Sequence, residues 1–330
     1  MKKVKIYGTL GPSCRDPEVL GQMLEAGMDG IRLNLSHATL AESAGLIEAL
    51  HSAADASGVK PELLIDMQGP ELRIGALNQP MFLADGALLG IDEIPFPNAV
   101  WEALQSLPTG QEILLDDGKL LLKTVRLSSA SGLQLRVERG GVLEGRKSVA
   151  LPGSHIQTAA LTEQDRAQIH QAKEYGVTAV MQPFVRSRED LQELRCALDE
   201  AGCRQLRLLA KVENRAGIAA LPELIPCCDE IVIARGDLGS AVELWELPAV
   251  QKQIARTCRE AGRDFMVVTQ MLDSMIHRPV PTRAELSDVF NAVLDGAASV
   301  MVTGETAVGE YPVAVIRYLA NTVRRAEAFI

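Results

Sequence analysis

Arg207-Leu208-Leu209-Ala210-Lys211-Val212-Glu213 is an apolar run that turns charged at its end, and Glu230-Ile231-Val232-Ile233-Ala234-Arg235-Gly236-Asp237 repeats the pattern after a segment of helical period. Two such runs joined by a helix make a parallel crossover unit, because parallel neighbours need a long connection. Working outward, the same alternation holds for runs at 4–10, 30–36, 62–67 and 178–184 before them, and at 264–270 and 299–305 after them. Eight strand-then-helix units, the last closed by a helix from 312 to about 329, predict an α/β fold of the (β/α)₈ TIM-barrel type. One interval breaks the rhythm: roughly 80 residues separate the third strand from the third helix, far more than a βα loop. We read residues 71–152 as a small inserted, β-barrel-like lid domain. Its strands fall at 112–115, 119–127 and 133–139, with a hairpin turn at Asp116-Asp117-Gly118. The barrel is then 1–70 with 153–330.

Composition bounds the partners. Hydrophobic residues make up 47% of the 330 residues and aromatics only 4%, so Val, Ile, Leu and Ala fill the core, as in parallel α/β proteins. With 43 acidic residues against 33 basic ones the formal charge is −10, which opposes a nucleic acid partner. No apolar run is long enough to span a membrane, and the six cysteines show no CxxC spacing, which together point to a cytoplasmic enzyme.

In this barrel type the reactive groups sit at the C-terminal ends of the strands. Strand two ends Arg32-Leu33-Asn34-Leu35-Ser36-His37, and alternation sends Arg32, Asn34 and Ser36 to one face, where an apolar interior would reject them. Asp66 ends strand three and can join Asn34 and Ser36 as oxygen ligands of a cation; a satisfied polar plug is the alternative. Lys211 and Glu213 share a face, and Asp237 ends the next run. Two carboxylates suit a hard cation that keeps positions open for substrate oxygens, although a Lys–Glu pair bracing the rim uses the same residues. Residues 140–148 imitate GxxxxGK[ST], but Arg146 occupies the lysine position and no strand-to-helix context surrounds it, so a P-loop is rejected. Thr282-Arg283-Ala284-Glu285 is a capping box and starts the seventh helix.

The segments Lys5-Ile6, Gly11-Pro12-Ser13, Arg32 to His37, Asp66-Met67-Gln68-Gly69-Pro70-Glu71-Leu72-Arg73, Lys211-Val212-Glu213-Asn214, Ala234-Arg235-Gly236-Asp237-Leu238-Gly239, Thr269-Gln270-Met271-Leu272-Asp273-Ser274-Met275, Pro281 to Glu285 and Gly304-Glu305-Thr306 resemble the pyruvate kinase family in order and spacing. The resemblance covers the family's barrel and lid, and stops where its C-terminal domain would begin. It implies phosphoryl transfer from phosphoenolpyruvate to ADP, giving pyruvate and ATP. It further implies Mg²⁺ (or Mn²⁺) on Glu213 and Asp237, and K⁺ on Asn34, Ser36, Asp66 and the carbonyl of Met67. Lys211 lies beside the transferring group, Arg32 and Arg73 contact phosphate, and His37, Arg73 and Lys147 lie where the nucleotide approaches. Gly236 and Asp237 offer amides to the substrate carboxylate. Thr269 sits near the proton donor, with Glu305 in its supporting network. Glu71 marks the K⁺-requiring branch, and a homodimer through the barrel is possible.

Four positions depart from the family pattern: Gln68, Gln157, Pro183 and Val267. A metal-dependent lyase or aldolase acting on a pyruvate enolate, and a weakened binding protein, are the alternative readings. A rim lysine is seldom a folding determinant, so Lys211→Met is expected to leave thermal stability nearly unchanged.

Overall fold

A computed structural model describes residues 3–36, 38–116, 118–125, 133–152, 154, 156 and 158–330. The eight barrel strands are β1 (Lys5–Thr9), β2 (Gly30–Asn34), β3 (Glu62–Asp66), β4 (Ala179–Gln182), β5 (Arg207–Val212), β6 (Glu230–Ala234), β7 (Asp264–Val268) and β8 (Ser299–Met301). Each pairs in parallel with its neighbours in sequence, and β8 closes on β1 with Lys5 opposite Ser299. The expected (β/α)₈ barrel is therefore the observed one. Each strand starts within a residue of where the pattern puts it and stops one to four residues earlier, because the polar ends leave the hydrogen-bond ladder and turn into loops.

Local chemistry sets the helix ends. Asp16 accepts the Glu18 N–H and Pro17 follows it, while Gly27 closes helix Pro17–Ala26 at φ 115, a conformation that suits glycine. Thr282 and Glu285 form the expected capping box at the start of helix Arg283–Leu294. The last helix runs Pro312–Glu327. Among the described residues no helix is long and apolar enough to cross a membrane.

Alternation along the strands divides the barrel into layers. Tyr7, Leu64, Met181, Leu209, Val232 and Met266 fill its middle, while their sequence neighbours such as Ile65, Leu208 and Ile231 pack outward in the larger core shared with the helices. Two residues before the middle layer, the same inward face is polar: Lys5, Glu62, Arg207, Glu230 and Ser299. Arg207 donates to Glu62 (2.8 Å) and to Glu230 (2.5 Å), Ser299 donates to Glu230, Tyr7 Oη donates to Glu62 (2.7 Å), and Lys5 pairs with Glu62. This closed network plugs the N-terminal end of the barrel, where such residues serve stability rather than chemistry. Glu230→Leu is expected to cost about 1–3 kcal/mol, because it leaves the buried Ser299 hydroxyl and one side of the partly exposed Arg207 guanidinium without their acceptor. Urea unfolding reads this directly, and a loss below about 1 kcal/mol would show the plug to be dispensable.

The chain divides into two compact units, residues 1–69 with 160–330 and residues 70–159. The second unit contains a five-stranded antiparallel sheet in the order Val149–Ala150, Glu112–Leu115, Leu120–Val125, Gln134–Arg139, Leu88–Gly90, and a two-stranded pair Met81–Leu83 with Gly141–Leu143. Asp116 at φ 49 and Gly118 at φ 79 make the expected turn, whose central Asp117 lies outside the described residues, as do residues 126–132. The sequence reading of strands alone missed helix Asn98–Ser106, which buries Val100 and Leu104, one turn apart, in this unit's core. Residues 140–148 run as strand and turn with no helix after them, in keeping with the rejected P-loop.

Candidate active site

At the C-terminal end of the barrel the inward face is charged again. Asp66 leaves β3 with 2% of its side chain exposed, between two cations. Arg32 in the middle of β2 donates through Nε (2.8 Å) and Nη2 (2.7 Å) to Asp66 Oδ2. Lys211 of β5 reaches both Asp66 oxygens (3.0 and 3.2 Å) and Glu213 Oε1 (2.9 Å). The other Glu213 oxygen accepts the N–H of Phe184 (2.8 Å), a residue held at φ 51. Alternation accounts for the array: Leu209, Lys211 and Glu213 share one face, and so do Leu64 and Asp66.

Lys211 is only 12% exposed, so it is no rim lysine, and the expectation of unchanged stability on its removal is corrected. Burial favours its neutral form, but Asp66 and Glu213 outweigh burial and hold the ammonium charged. Burial would likewise raise Asp66, yet Lys211 and Arg32 bring its carboxyl below the usual range. Glu213 goes the other way. Burial, only partly offset by Lys211 and reinforced by Asp237 and Asp66, pushes it up to about 7. Three carboxylates thus face two cations, and Glu213 carries the shortfall. A positive ion would relieve it, and the carboxylate oxygens of Glu213 and Asp237 fit a hard divalent metal. Among the described residues no three His, Cys, Asp or Glu side chains converge to cage a metal unaided. Such an ion would complete its shell with water or substrate oxygens, as Mg²⁺ habitually does.

Asp237 lies in the first turn of helix Arg235–Ala241, directly after β6. Across from it the chain leaves β7 through Thr269 at φ 78 and Gln270 at φ 54. A β-branched residue in the left-handed region is strained and persists only where its surroundings hold it. Arg235 supplies the restraint, donating to the carbonyl of Thr269 (2.8 and 3.1 Å) and to that of Gln270 (3.1 Å), while Asp288 anchors its far side (2.6 Å). A Cβ on Gly236 would sit 3.1 Å from Thr269 Cγ2, a tight contact that the Thr269 side chain would have to ease. Glu305 is buried and accepts the N–H groups of Leu272 (3.1 Å) and Thr303 (2.7 Å), tying the loops after β7 and β8 together.

Asn34 pairs with Asp66 across β2 and β3, and its Oδ1 accepts the Ser36 N–H (3.1 Å). Met67 follows at the exit of β3, its N–H bonded to Met181 O (3.1 Å). Glu71, Arg73 and Lys147 belong to the second unit. There Arg73 donates twice to Glu71 Oε2 (2.7 and 2.9 Å) and once to Arg146 O (3.0 Å), while Lys147 pairs with Asp116 (3.2 Å) and Glu144 (3.1 Å). His37 and Gln157 lie outside the described residues.

Sequence reasoning named Arg235 only as part of a glycine-rich motif and did not see that it pins Thr269. A lone arginine beside Gly-Asp at a strand end was the available signal. Of the departures from the family pattern, Val267 is accounted for by its surroundings. Val267 faces away from the barrel interior into the layer under the helices, where an apolar side chain belongs. Pro183 packs on Gly69, whose hypothetical Cβ would meet Pro183 Cγ at 2.4 Å.

The family model for the pyruvate kinase barrel domain matches residues 1–316. A pyruvate kinase of Aeropyrum pernix is 36% identical over 327 residues, covering 98% of this chain and 70% of that protein. Pyruvate kinase PKLR of Homo sapiens is 36% identical over 349 residues, covering all of this chain and 60% of its own length. One from Sporosarcina psychrophila is 36% identical over 339 residues, and 58% of its length is covered. The chain therefore spans well under the full length of the relatives it matches. With the closed eight-stranded barrel and a match that runs nearly from end to end, the chain belongs to the pyruvate kinase family.

Proposed function

We propose that this chain transfers a phosphoryl group from phosphoenolpyruvate to ADP, leaving pyruvate and ATP. The observation that carries the proposal is the buried array Arg32–Asp66–Lys211–Glu213 at the C-terminal end of the barrel, in which Asp66 pairs with both Arg32 and Lys211 and Lys211 also pairs with Glu213. Phosphoryl transfer needs positioning and charge neutralisation more than covalent help. A divalent cation on Glu213 and Asp237 would draw negative charge from the phosphoryl oxygens, and K⁺ among Asn34, Ser36, Asp66 and the Met67 carbonyl would add a further positive charge.

The remaining work falls to the chain's own groups. Lys211, kept protonated by its two carboxylates, opposes charge on the moving phosphoryl group and on the enolate oxygen left behind. Arg32 offers its guanidinium to the phosphate. As the P–O bond to enolpyruvate breaks, a β-phosphate oxygen of ADP forms the new one, and the electron pair stays on the enolate. Protonation of the enolate carbon completes pyruvate, with Thr269 near the donor and its backbone set by Arg235. Amides at Gly236 and Asp237 receive the substrate carboxylate. Arg73 and Lys147 serve the nucleotide.

Pyruvate formation measured with phosphoenolpyruvate, ADP, Mg²⁺ and K⁺ is the direct test. Activity is expected to disappear on chelation and to return with Mg²⁺. Turnover that survives exhaustive chelation would remove Glu213 and Asp237 from the role given to them. Cleavage of a pyruvate-derived C–C bond without phosphoryl transfer would replace this reading by a lyase.

A further inference from the structure

The exit of β3 is held by a carboxylate that no part of the reaction described above uses. Asp165, 1% exposed, is the third residue of helix Glu163–Gln171 and closes a capping box with Thr162. A capping box needs one oxygen, and Asp165 Oδ2 accepts both the N–H (2.9 Å) and the hydroxyl (2.8 Å) of Thr162. That same oxygen accepts the N–H of Gly69 (3.0 Å), and the second oxygen, Oδ1, accepts the N–H of Gln68 (2.9 Å). These amides lie two and three residues beyond Asp66, with Met67 between. The opposite side is wedged: Gly69 adopts φ 60 with Pro183 against it, so the segment has nowhere to retreat. A chain gripped by two charge-assisted hydrogen bonds on one side and a proline ring on the other cannot shift without breaking one of them.

We infer that Asp165 is a positioning residue that, by fastening Gln68 and Gly69, sets the Asp66 carboxylate and the Met67 carbonyl for cation binding at the end of β3. The inference rests on the K⁺ reading of that site proposed above, and adds to it the residue that orients two of its ligands. Partners of this kind, one bond removed from the ion, typically tune affinity by about 10–100-fold.

The test is Asp165→Asn in the full chain. An amide has one acceptor oxygen and turns N–H₂ toward at least one of the present donors, so part of the grip must open. Three quantities are compared with wild type: the K⁺ concentration giving half-maximal turnover, the K⁺ concentration giving half the rise in melting temperature, and hydrogen exchange in a peptide covering residues 62–69. The expected result is faster exchange in that peptide and a K⁺ requirement raised about 10–100-fold by both other readouts, with KM for ADP unchanged. Asp16→Ala, which removes the cap of helix Pro17–Ala26 and touches nothing at β3, should lower melting temperature and leave the K⁺ response alone. If Asp165→Asn does not fold, Asp165→Glu, which keeps the charge and displaces it by one methylene, carries the same comparison.

Unchanged exchange would show that Asp165 does not hold the β3 exit. Faster exchange with an unchanged K⁺ response would reduce Asp165 to a helix cap. Both overturn the inference. A wild type whose turnover and melting temperature both ignore K⁺ also overturns it, while leaving phosphoryl transfer standing. A wild type that does not form pyruvate but melts higher in K⁺ sinks the proposed reaction instead, and Asp165 is then judged on the melting curves and exchange.

Discussion

Lys211→Met is expected to lower turnover on the order of 10²–10³-fold, the usual cost of deleting one preorganised charge that acts in the transition state. The same change should also destabilise the fold, because it leaves Glu213 buried without its cation and Asp66 paired with Arg32 alone. Breaking a buried pair from one side costs about 3–5 kcal/mol, which in a barrel of this size lowers the melting temperature on the order of 10 °C. The two effects separate in a double variant. Adding Glu213→Gln to Lys211→Met removes one of the stranded charges and should restore part of the lost stability while turnover stays low or falls further. Retained turnover in a folded Lys211→Met protein would leave the array as a brace and nothing more.

Wild-type turnover should rise on the order of 10²-fold when a bulky organic cation is exchanged for K⁺, and Glu71→Lys should make the enzyme nearly indifferent to that exchange. A unit charge about 6 Å from a developing charge, at an effective dielectric near 20, contributes about 3 kcal/mol, which is about two decades in rate. The resemblance ties the need for K⁺ to the residue at 71, since family members with Lys there supply the positive charge themselves. Within its own unit Glu71 holds Arg73 through two hydrogen bonds, so the substitution also replaces an attraction by a repulsion. That partly exposed pair is worth about 1 kcal/mol or less, so the variant should fold and the ratio of rates in the two cations remains measurable. Equal rates in both cations for the wild type would remove K⁺ from the proposed mechanism.

Much of the barrel was legible because its signal is local. Runs such as Ile231 to Ala234 are apolar on both faces and separated by helical segments, so counting them was enough for topology. Helix boundaries with explicit chemistry, such as Thr282 with Glu285, could be read from four residues. Helix Asn98–Ser106 could not: it is short, lies among strands, and buries only Val100 and Leu104, too weak a periodicity to outvote its surroundings. The polar layer of Lys5, Glu62, Arg207 and Glu230 also escaped notice, since each begins a strand where a charged residue is unremarkable until the barrel closes and brings all four together.

Residue order and alternation were sufficient for the eight parallel strands and for Lys211 and Glu213 sharing a face, because a strand repeats every two residues whatever surrounds it. Closure of the sheet decided the rest. It buried Lys211 between Asp66 and Glu213, which made a surface-looking lysine a charge that the fold cannot easily lose. It also placed Arg235 where its guanidinium holds Thr269 and Gln270 at positive φ, and brought Asp165 to amides almost a hundred positions earlier in the chain. Such pairings depend on strands and helices distant in sequence meeting at one end of a barrel, and the backbone strain and charge balance there are set by neighbours that no local pattern encodes.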